Sequence, residues 1–436
     1  MKVYKFGGAS IKDYKSIIRL SKIIRKQNHD KMILIVSAMG KTTNSMEKIV
    51  LSYMNSYKNL ADKLESVKSF HYDLIKDLFK KNSSSIIKIV QSVFDEINQF
   101  LKNNKENDYN IVYDQIVSYG EILSSIIISK YLNSIGLNTK WIDARSCIIT
   151  DEYYRDANVD FEKTSKLIKR KFKDKGLFVS QGFIGSNTKS LTTTLGREGS
   201  DYSAAIFAHA LNAESLTIWK DVRGVLNADP RFFNKTRLLS KISYEEAIEL
   251  AFYGASIIHP KTLQPLKKKE IPLFVKSFLS PFSKGTIIYK KDSRVINIPS
   301  HIVKFNRVLL KISSKDFSFI VEKKISLIFS MLSKHKMKVE LIQNSAISFS
   351  VVLNNKYEKL DELLYELRET FKVSIDKEVS LFTIRHFNLN SLKHIKKLNQ
   401  NILLEQRTFK TLQLVLSKNF NRKVFLDFFK NNFCQF

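Results

Sequence analysis

The first 220 residues alternate between short apolar runs and longer segments with the spacing of amphipathic helices. Residues 32–36 are continuously apolar, which is typical of a strand buried on both faces of a parallel sheet. Residues 11–27 and 120–135 have helical periodicity, and a longer helical excursion covers about 45–101. Further strands are predicted at 2–6, 139–143, 177–180 and 215–219. Strands that alternate with helices predict an α/β fold with a mainly parallel sheet flanked by helices.

Near residue 300 the order of the predicted elements changes to one that is typical of a ferredoxin-like α+β module. The order β-α-β-β-α-β is predicted from segments at 308–313, 324–335, 338–342, 346–353, 357–371 and 379–385. A partial second copy follows, with extended segments at 381–387 and 410–417 around a helix at 391–398. This second module is shortened, and the basic, aromatic residues 418–436 receive no role from the sequence.

The composition fits a two-domain protein with a charged surface. With 436 residues, 44% of them hydrophobic, the chain can bury a large core, and we expect one domain at 1–295 and another at 300–436. The net charge of +30 raises nucleic-acid binding as a hypothesis, but the lysines are scattered and no long basic block occurs. We therefore expect no nucleic-acid partner and interpret the charge as surface that attracts anionic substrates.

Cysteine usage and hydropathy predict a cytoplasmic protein with no membrane partner. Cys147 and Cys434 lie far apart without metal-ligand spacing, which fits a reducing compartment. No signal peptide is expected, because Lys2 and Lys5 flank only two residues before a glycine pair. No apolar run approaches the ~20 residues needed to span a bilayer. The 8 histidines suggest neither a metal cluster nor a Ser-His-Asp set, so no metal held by protein ligands is expected.

Glycine-rich polar loops follow the predicted strands, where ligands collect in parallel sheets. Lys5 ends the first strand and precedes Gly7 and Gly8, whose amides can approach an anion closely, so we expect a phosphate site there. Arg197 lies between two glycines, and a guanidinium beside bare amides suits a carboxylate or a phosphate. Asp201, four residues later, is either a helix N-cap or a part of the same site.

In sequence order these motifs resemble those of the aspartate kinases, members of the amino-acid kinase superfamily. Residues 5–10 are similar to the family's KFGG(T/S)S opening, and residues 37–44 to its second loop. Residues 181–201 contain QGFIG and TTLGREGSD, which resemble the family's TTLGRGGSD segment. Residues 219–231, WKDVRGVLNADPR, resemble its nucleotide loop, and residues 254–260 the stretch that follows. The match continues to about residue 290, and the remainder resembles the family's paired regulatory ACT modules.

The resemblance implies a role for each matching residue. Lys5, Gly8 and Asp201 would be catalytic, with Lys5 and the glycines against the transferred phosphoryl group. Glu121 would bind the ammonium group of the amino acid and Arg197 its α-carboxylate, in a pocket completed by Ser37, Thr43 and Ser200. The implied nucleotide-binding residues are Gly7, Ser10, Lys220, Asp221, Leu226, Arg231 and Lys261.

Several positions depart from the family pattern. Ala9 stands where threonine or serine is usual, and Leu226 where a tyrosine often faces the nucleotide. Glu198 stands where glycine is frequent, and it would weaken carboxylate binding if it pointed inward. Ser256 occupies a position where many relatives carry a lysine that reaches the nucleotide phosphates. We expect Lys220 or Lys261 to supply that charge.

The activity implied by the resemblance is the phosphorylation of L-aspartate to 4-phospho-L-aspartate by ATP with Mg²⁺, the first step toward lysine, threonine and methionine. Aspartate is already ionised near neutral pH, so no general base is needed. The protein has to bring two anions together and neutralise the charge on the moving phosphoryl group. A homodimer through ACT modules is implied, with lysine or threonine as effector, lysine being preferred, at a turn within 340–349.

Two other readings remain open. A related kinase could act on glutamate, acetylglutamate or a nucleoside monophosphate, although such kinases match residues 197–201 and the double-module tail poorly. A kinase relic whose basic surface engages nucleic acid would show steeply salt-dependent binding to DNA or RNA. The intact Lys5, Glu121, Arg197 and Asp201 weigh against such decay.

Overall fold

The computed structural model describes residues 1–436 apart from 28, 57–58, 256, 291–297, 317, 390–400, 421 and 433–436. Its contacts divide the chain into two compact units. The first comprises Met1–Val225, Ser240–Ile248 and Ile257–Val295. The second comprises Leu226–Leu239, Glu249–Ser256 and Ile296–Phe436. Two short segments that precede residue 290 therefore belong to the second unit.

The first unit contains an eight-stranded sheet in the order β3-β4-β2-β1-β7-β9-β10-β8. Its strands are β1 Lys2–Phe6, β2 Lys31–Val36, β3 Thr139–Trp141, β4 Gly176–Gln181, β7 Ser215–Lys220, β8 Lys241–Ser243, β9 Leu273–Ser277 and β10 Thr286–Tyr289. All neighbours are parallel except β9 and β10. A separate antiparallel hairpin pairs β5 Ile184–Ser186 with β6 Thr192–Thr194. The predicted α/β fold with a mainly parallel sheet is confirmed.

The first unit also contains helices, which are α1 Tyr14–Arg25, α2 Thr42–Met54, α3 Leu60–Phe79, α4 Ser83–Asn103, α5 Tyr109–Val117, α6 Tyr119–Ser134, α7 Phe161–Lys171, α8 Gly199–Ala210, the beginning of α9 Tyr244–Tyr253, and α10 Pro260–Lys268. From Glu249 onward, α9 belongs to the second unit. The long helical excursion predicted at 45–101 is thus three helices. They bury one apolar face each, for example Ile49, Leu74 and Phe94.

The stretch Tyr109–Ser134 departs from the expectation that no apolar segment approaches membrane-spanning length. By length and composition it could cross a bilayer, but 78% of its most apolar window is buried inside the protein. Its second part, α6, buries residues on all sides, including Leu123, Ile127 and Ile128. A helix that is apolar all round is a core helix when protein surrounds it, which is the case here.

The second unit is built on a six-stranded antiparallel sheet in the order β12-β13-β11-β14-β16-β15. Its elements are β11 Ser300–Ser314, α11 Glu322–Lys334, β12 Lys338–Asn344, β13 Ser348–Asn354, α12 Leu360–Thr370, β14 Phe371–Arg385, β15 Ile402–Arg407, β16 Thr411–Leu416 and α13 Arg422–Asn432. The order β14-β11-β13-β12 is that of strands 4-1-3-2 in a β-α-β-β-α-β module. The ferredoxin-like pattern predicted from the sequence is therefore present.

Two strands of 15 residues each, β11 and β14, run through both halves of this sheet. The beginning of β11 pairs with the end of β14, from Ser300 opposite Arg385 to Lys304 opposite Leu381. The end of β14 also pairs with β16, which in turn pairs with β15. The second half of the sheet therefore consists of the start of β11, the end of β14, β16 and β15. The helix predicted at 391–398 lies outside the described residues, and β15 was not predicted.

Each half of this sheet has its own core. Beneath the first half, Leu310, Ile328 and Leu363 are among the buried side chains. Beneath the second half, Phe382 and Leu414 pack with Phe425 of α13, which is fully buried. The segment 418–436, for which the sequence alone suggests no role, therefore contributes Phe420 and Phe425 to the core of the second half of the sheet.

Candidate active site

A cavity of about 390 Å³ opens at the carboxyl ends of β1, β2 and β7. It is lined by Lys5, Gly7, Gly8, Ala9, Ser10, Ser37, Ala38, Gly40, Thr43, Glu121, Phe183, Gly196, Glu198, Gly199, Ser200, Asp201, Trp219, Lys220 and Asp221. All of these residues belong to the first unit. The edge at which the sequence predicts ligand binding is therefore where a concave site is found.

Two lysines converge on one buried carboxylate in this cavity. Lys5 Nζ lies 2.6 Å from Asp201 Oδ1, and Lys220 Nζ lies 3.1 Å from Asp201 Oδ2. Burial raises the pKa of Asp201, but the attraction of Lys5 and Lys220 outweighs it and leaves the pKa below its ordinary value. Asp201 is thus an anion that orients two ammonium groups beside the cavity.

The glycine loop after β1 is packed closely against the loop after β2. A Cβ atom on Gly8 would lie 2.7 Å from the carbonyl oxygen of Ala38. The backbone N–H of Gly40 donates to the carbonyl of Gly8 over 3.1 Å. Only glycine fits at position 8, so bare backbone faces the cavity near Lys5. Ser10 also lines the cavity, but its hydroxyl donates to the carbonyl of Trp219 over 3.1 Å.

Glu121 brings a second, differently placed carboxylate into the cavity. It lies in the first turn of α6 and is 2% exposed. Its Oε1 accepts the backbone N–H of Ala38 over 3.1 Å, whereas its buried Oε2 has no hydrogen-bond partner among the described residues. Burial raises the pKa of Glu121 to about 8. A buried acceptor without a donor is costly, so this atom is suited to a cationic group of a ligand.

The TTLGREGSD segment passes from β6 into α8 through a tight turn. Gly196 has φ +74°, and a Cβ atom there would lie 2.3 Å from Asp156 Oδ1. Glu198 is the N-cap of α8 at φ 53° and makes no side-chain cap, so Asp201 lies in the first turn of the helix instead of capping it. The side chain of Asp201 is therefore available to the cavity and to Lys5.

Four residues that the resemblance implies for the site do not line this cavity. Arg197 is exposed and has no ion-pair partner among the described residues, although both its neighbours line the cavity. Lys261 Nζ lies 2.7 Å from Asp156 Oδ1. Leu226 and Arg231 belong to the second unit, where Arg231 Nη2 lies 2.6 Å from Asp229 Oδ2. Ser256, which stands where many members of the family carry a lysine, lies outside the described residues.

The structure also places residues in the cavity that the sequence did not single out. Phe183 lines it with φ 70°, and its backbone N–H donates to Ser203 Oγ over 2.9 Å. A Cβ atom on the preceding Gly182 would lie 2.6 Å from Ser200 Cβ. An aromatic residue between two glycines directly after β4 is the sequence signal that could have identified Phe183.

The charged groups of the cavity determine what it can bind. Among the described residues there is no group of three His, Cys, Asp or Glu side chains that could hold a metal ion. Both oxygens of Asp201 already face lysines. A divalent cation therefore fits this site when it arrives on a phosphate ligand, because Mg²⁺ is usually bound through few protein groups together with substrate phosphates.

Comparison with known proteins points to a kinase. The family model described as the amino acid kinase family matches residues 1–277. Lysine-sensitive aspartokinase 3 of Escherichia coli is 28% identical over 396 residues, which cover 88% of this chain and 86% of that protein. Aspartokinase 3, chloroplastic, of Arabidopsis thaliana is 28% identical over 431 residues, covering 94% and 74%. The crystal structure of E. coli aspartokinase III with lysine and aspartate in the T-state matches 99% of each chain at 25% identity and a TM-score of 0.82.

Proposed function

The chain belongs to the amino acid kinase family, and on that premise we propose that it is an aspartate kinase that makes 4-phospho-L-aspartate from L-aspartate and ATP. The observation that carries the proposal is the unpartnered Oε2 of buried Glu121, in the same cavity as Lys5 and Gly8. The cavity thus provides one place for an ammonium group, at Glu121, and another for phosphates, at Lys5 and Gly8. The reaction is the first step toward lysine, threonine and methionine.

The substrate amino acid lies between Glu121 and the loop that carries Arg197. Glu121 accepts the substrate ammonium, which supplies the donor that its Oε2 lacks in the free protein. Arg197, exposed and unpaired among the described residues, binds the α-carboxylate. Ser37, Thr43 and Ser200 line the same cavity and offer hydroxyl groups to the side-chain carboxylate.

Phosphoryl transfer needs charge neutralisation more than proton transfer. The side-chain carboxylate of aspartate is ionised near neutral pH, so it attacks the γ-phosphorus without a general base. The bond from the γ-phosphorus to the bridging oxygen breaks, and ADP leaves with that oxygen. Lys5 and the amides of Gly7 and Gly8 stabilise the charge on the transferred group, while Asp201 holds Lys5 in place.

The nucleotide binds on the side of Lys220 and Asp221. Lys220 lines the cavity, donates to the carbonyl of Ile257 and pairs with Asp201, so its ammonium group is held at the cavity. We infer that it supplies the phosphate-binding charge that Ser256 lacks. Mg²⁺ enters with ATP and neutralises the phosphates when bound. Ser10, Leu226 and Arg231 remain proposed nucleotide contacts, and Lys261 is the alternative to Lys220 as the source of the phosphate-binding charge.

Regulation belongs to the second unit in this proposal. The turn between β12 and β13 is exposed, and its Ser345 and Ser348 hydroxyls lie 2.7 Å apart. We propose that this turn binds lysine, in line with the lysine-sensitive relative, and that the antiparallel sheet pairs with that of a second copy to form a homodimer. The enzyme acts in the cytoplasm without nucleic-acid or membrane partners.

The deciding experiment is release of ADP by the purified chain with Mg²⁺-ATP. Aspartate, glutamate and no amino acid are compared, each with and without lysine or threonine. Turnover that depends on aspartate supports the proposal, and inhibition by lysine supports the proposed effector. Turnover with glutamate would move the chain to a sister activity. No turnover with either amino acid would contradict the kinase proposal and favour the relic, for which salt-dependent nucleic-acid binding is then measured.

A further inference from the structure

A buried carboxylate outside the cavity connects the two sides of the proposed amino-acid pocket. Asp114 lies in α5 and is 0% exposed. It forms no ion pair within 4.0 Å among the described residues. Its Oδ2 accepts the backbone N–H of Thr194 over 2.8 Å and that of Arg155 over 3.0 Å. Its Oδ1 accepts the hydroxyl of Thr194 over 2.6 Å. Three donors from two separate segments therefore converge on one carboxylate.

The cost of burying this carboxylate shows that its hydrogen bonds are necessary. Burial raises the pKa of Asp114 to about 6, while the bonds from Thr194 and Arg155 counteract that rise. A buried carboxylate without a matching cation is tolerated only when its oxygens are fully hydrogen-bonded. An amide at this position could keep both backbone N–H bonds with its oxygen and donate its NH2 group to the hydroxyl of Thr194, so the change that leaves all three groups without their acceptor is removal of the side chain.

The two segments that Asp114 holds are in contact with each other and with the substrate loop. The backbone N–H of Ala157 donates to the carbonyl of Thr194 over 2.9 Å. Asp156 lies so close to Gly196 that no Cβ atom would fit there, and it pairs with Lys261. Arg155 stacks over the rings of Tyr109 and Tyr113, at 5.3 and 4.5 Å from their centroids. The loop 151–158 thus supports residues 194–196, directly before Arg197.

The neighbouring residue in α5 repeats this arrangement at the other end of β6. Gln115 Nε2 donates to the carbonyl of Thr192 over 2.8 Å, and Gln115 Oε1 accepts the backbone N–H of Thr192 over 3.2 Å. Both ends of β6 are therefore held by α5. After Ser118 the chain continues into α6, whose first turn carries Glu121. Two consecutive helices therefore connect these features: α6 carries Glu121, and α5 positions the strand that leads to Arg197.

We propose that Asp114 is a positioning residue that sets the separation between Glu121 and the Arg197 loop, and so tunes the affinity for the amino-acid substrate. The proposal rests on the proposed function in that Glu121 and Arg197 bind the two charges on the α-carbon of aspartate. Asp114 itself does not line the cavity and touches no reacting atom. Its loss should therefore weaken aspartate binding and leave the nucleotide side, with Lys5 and Lys220, unaffected.

The kinetic test compares Asp114→Ala with a matched control, Asp151→Ala. Asp151 also accepts backbone N–H groups, from Tyr153 and Asn158, but it is exposed and its side chain makes no hydrogen bond to β6 among the described residues. We expect Asp114→Ala to raise KM for aspartate about tenfold or more, the effect of losing hydrogen bonds to a charged group, with KM for ATP within about twofold. Asp151→Ala should raise KM for aspartate far less. A parallel rise in both KM values in Asp114→Ala, or an equal rise in KM for aspartate in the two variants, would overturn the proposal.

Two further variants and one structural measurement keep the test decisive. Thr194→Val removes the hydroxyl that Asp114 accepts and should reproduce the rise in KM for aspartate, whereas Thr194→Ser should restore it. Amide hydrogen exchange of Arg155, Thr194 and Gly196 should accelerate more in Asp114→Ala than in Asp151→Ala. Exchange needs no substrate, so unchanged exchange would overturn the proposal even if the wild-type chain proved inactive on aspartate. If the wild-type chain were inactive on aspartate but the exchange rates changed as expected, only the proposed function would be contradicted.

Discussion

The carboxylate of Glu198 accepts the backbone N–H of His259 over 2.9 Å, and so it is directed toward the first turn of α10. His259 is the N-cap of that helix, where unpaired N–H groups attract an anion. Glu198 lines the cavity, but no ion pair forms between it and the adjacent Arg197 among the described residues. Glu198 stands at a position where glycine is frequent in the family. Its negative charge is thus bound to the N-terminus of a neighbouring helix, α10.

Replacing Glu198 by glutamine should therefore change KM for aspartate by no more than about twofold, the size expected for a partly screened charge. Glu198→Gly loses the bond to His259 but relieves a left-handed backbone at φ 53°. Each of these effects is worth about 1 kcal/mol, so the free energy of unfolding should stay nearly unchanged. Steady-state kinetics and urea denaturation measure both quantities. A drop of tenfold or more in KM with Glu198→Gln would show that the charge opposes the substrate.

Lys220 and Lys261 make a matched pair for locating the phosphate-binding charge. Lys220 lies at the cavity against Asp201, whereas Lys261 is engaged by Asp156. We expect Lys220→Met to raise KM for ATP about tenfold or more, because it removes a charge-assisted bond to phosphate, and Lys261→Met to raise it less than about twofold. Kinetics at saturating aspartate provide the measurement. If neither variant altered KM for ATP, both lysines would be excluded as substitutes for the lysine that many relatives carry at the position of Ser256.

Gly8 offers a test of how closely the phosphate loop must approach the loop after β2. A methyl group at this position would meet the carbonyl oxygens of Ala38 and Gly40 at 2.7 and 3.0 Å. Both are backbone atoms that cannot turn aside, so Gly8→Ala should displace the loop and lower kcat by about a hundredfold or more. Gly136→Ala is the control, since no atom lies within 4 Å of its Cβ position. Because Gly136 has φ +85°, a modest loss of stability but normal kcat is expected for it. Equal kcat values for the two variants would contradict the close-packing argument.

The cavity residues were largely predictable because their signals are local. Lys5 and Gly8 stand at the end of a short buried strand, so chain position directs them to that sheet edge, whereas Glu121 was expected there only from the family resemblance. The partner of Glu198 was not predictable, since His259 lies 61 residues further on and the bond depends on how α8 and α10 pack. The 15-residue length of β11 was also missed, because Lys304, Asn306 and Arg307 interrupt its apolar pattern at a register shift.

The lysine effector can be tested by ligand-dependent stability. A ligand that binds only the folded state raises the free energy of unfolding by about 2.7 kcal/mol at 100 times its Kd. We expect L-lysine to raise the melting temperature in a concentration-dependent manner, with D-lysine as the control for non-specific salt effects. L-threonine should produce no comparable shift. A larger shift with threonine than with lysine would assign the effector differently, and no shift with either would indicate that neither amino acid binds the folded chain.

Glu121 makes both stability and substrate binding depend on pH in ways that can be separated. Its pKa of about 8 lies far above the ordinary value of about 4.3, so the folded protein holds a proton that the unfolded chain has released. The stabilisation from this group is complete below about pH 4.3 and is lost as the pH rises through about 8. The free energy of unfolding should therefore fall as the pH rises from about 4.3 to about 8, level off above that, and fall less in Glu121→Gln.

The proton held by Glu121 should be released when aspartate binds, and this release can be measured directly. An ammonium group pairs with the ionised form of Glu121, so aspartate binding at pH 7 requires the carboxyl to release its proton, and the affinity should rise as the pH approaches 8. Calorimetric titration at pH 7 in two buffers of different ionisation enthalpy should give about one proton released per aspartate bound. Glu121→Gln should bind aspartate more weakly and release none. Heats that do not depend on the buffer in the wild type would mean that Glu121 is already ionised in the free protein, and its unpartnered oxygen would then need another explanation.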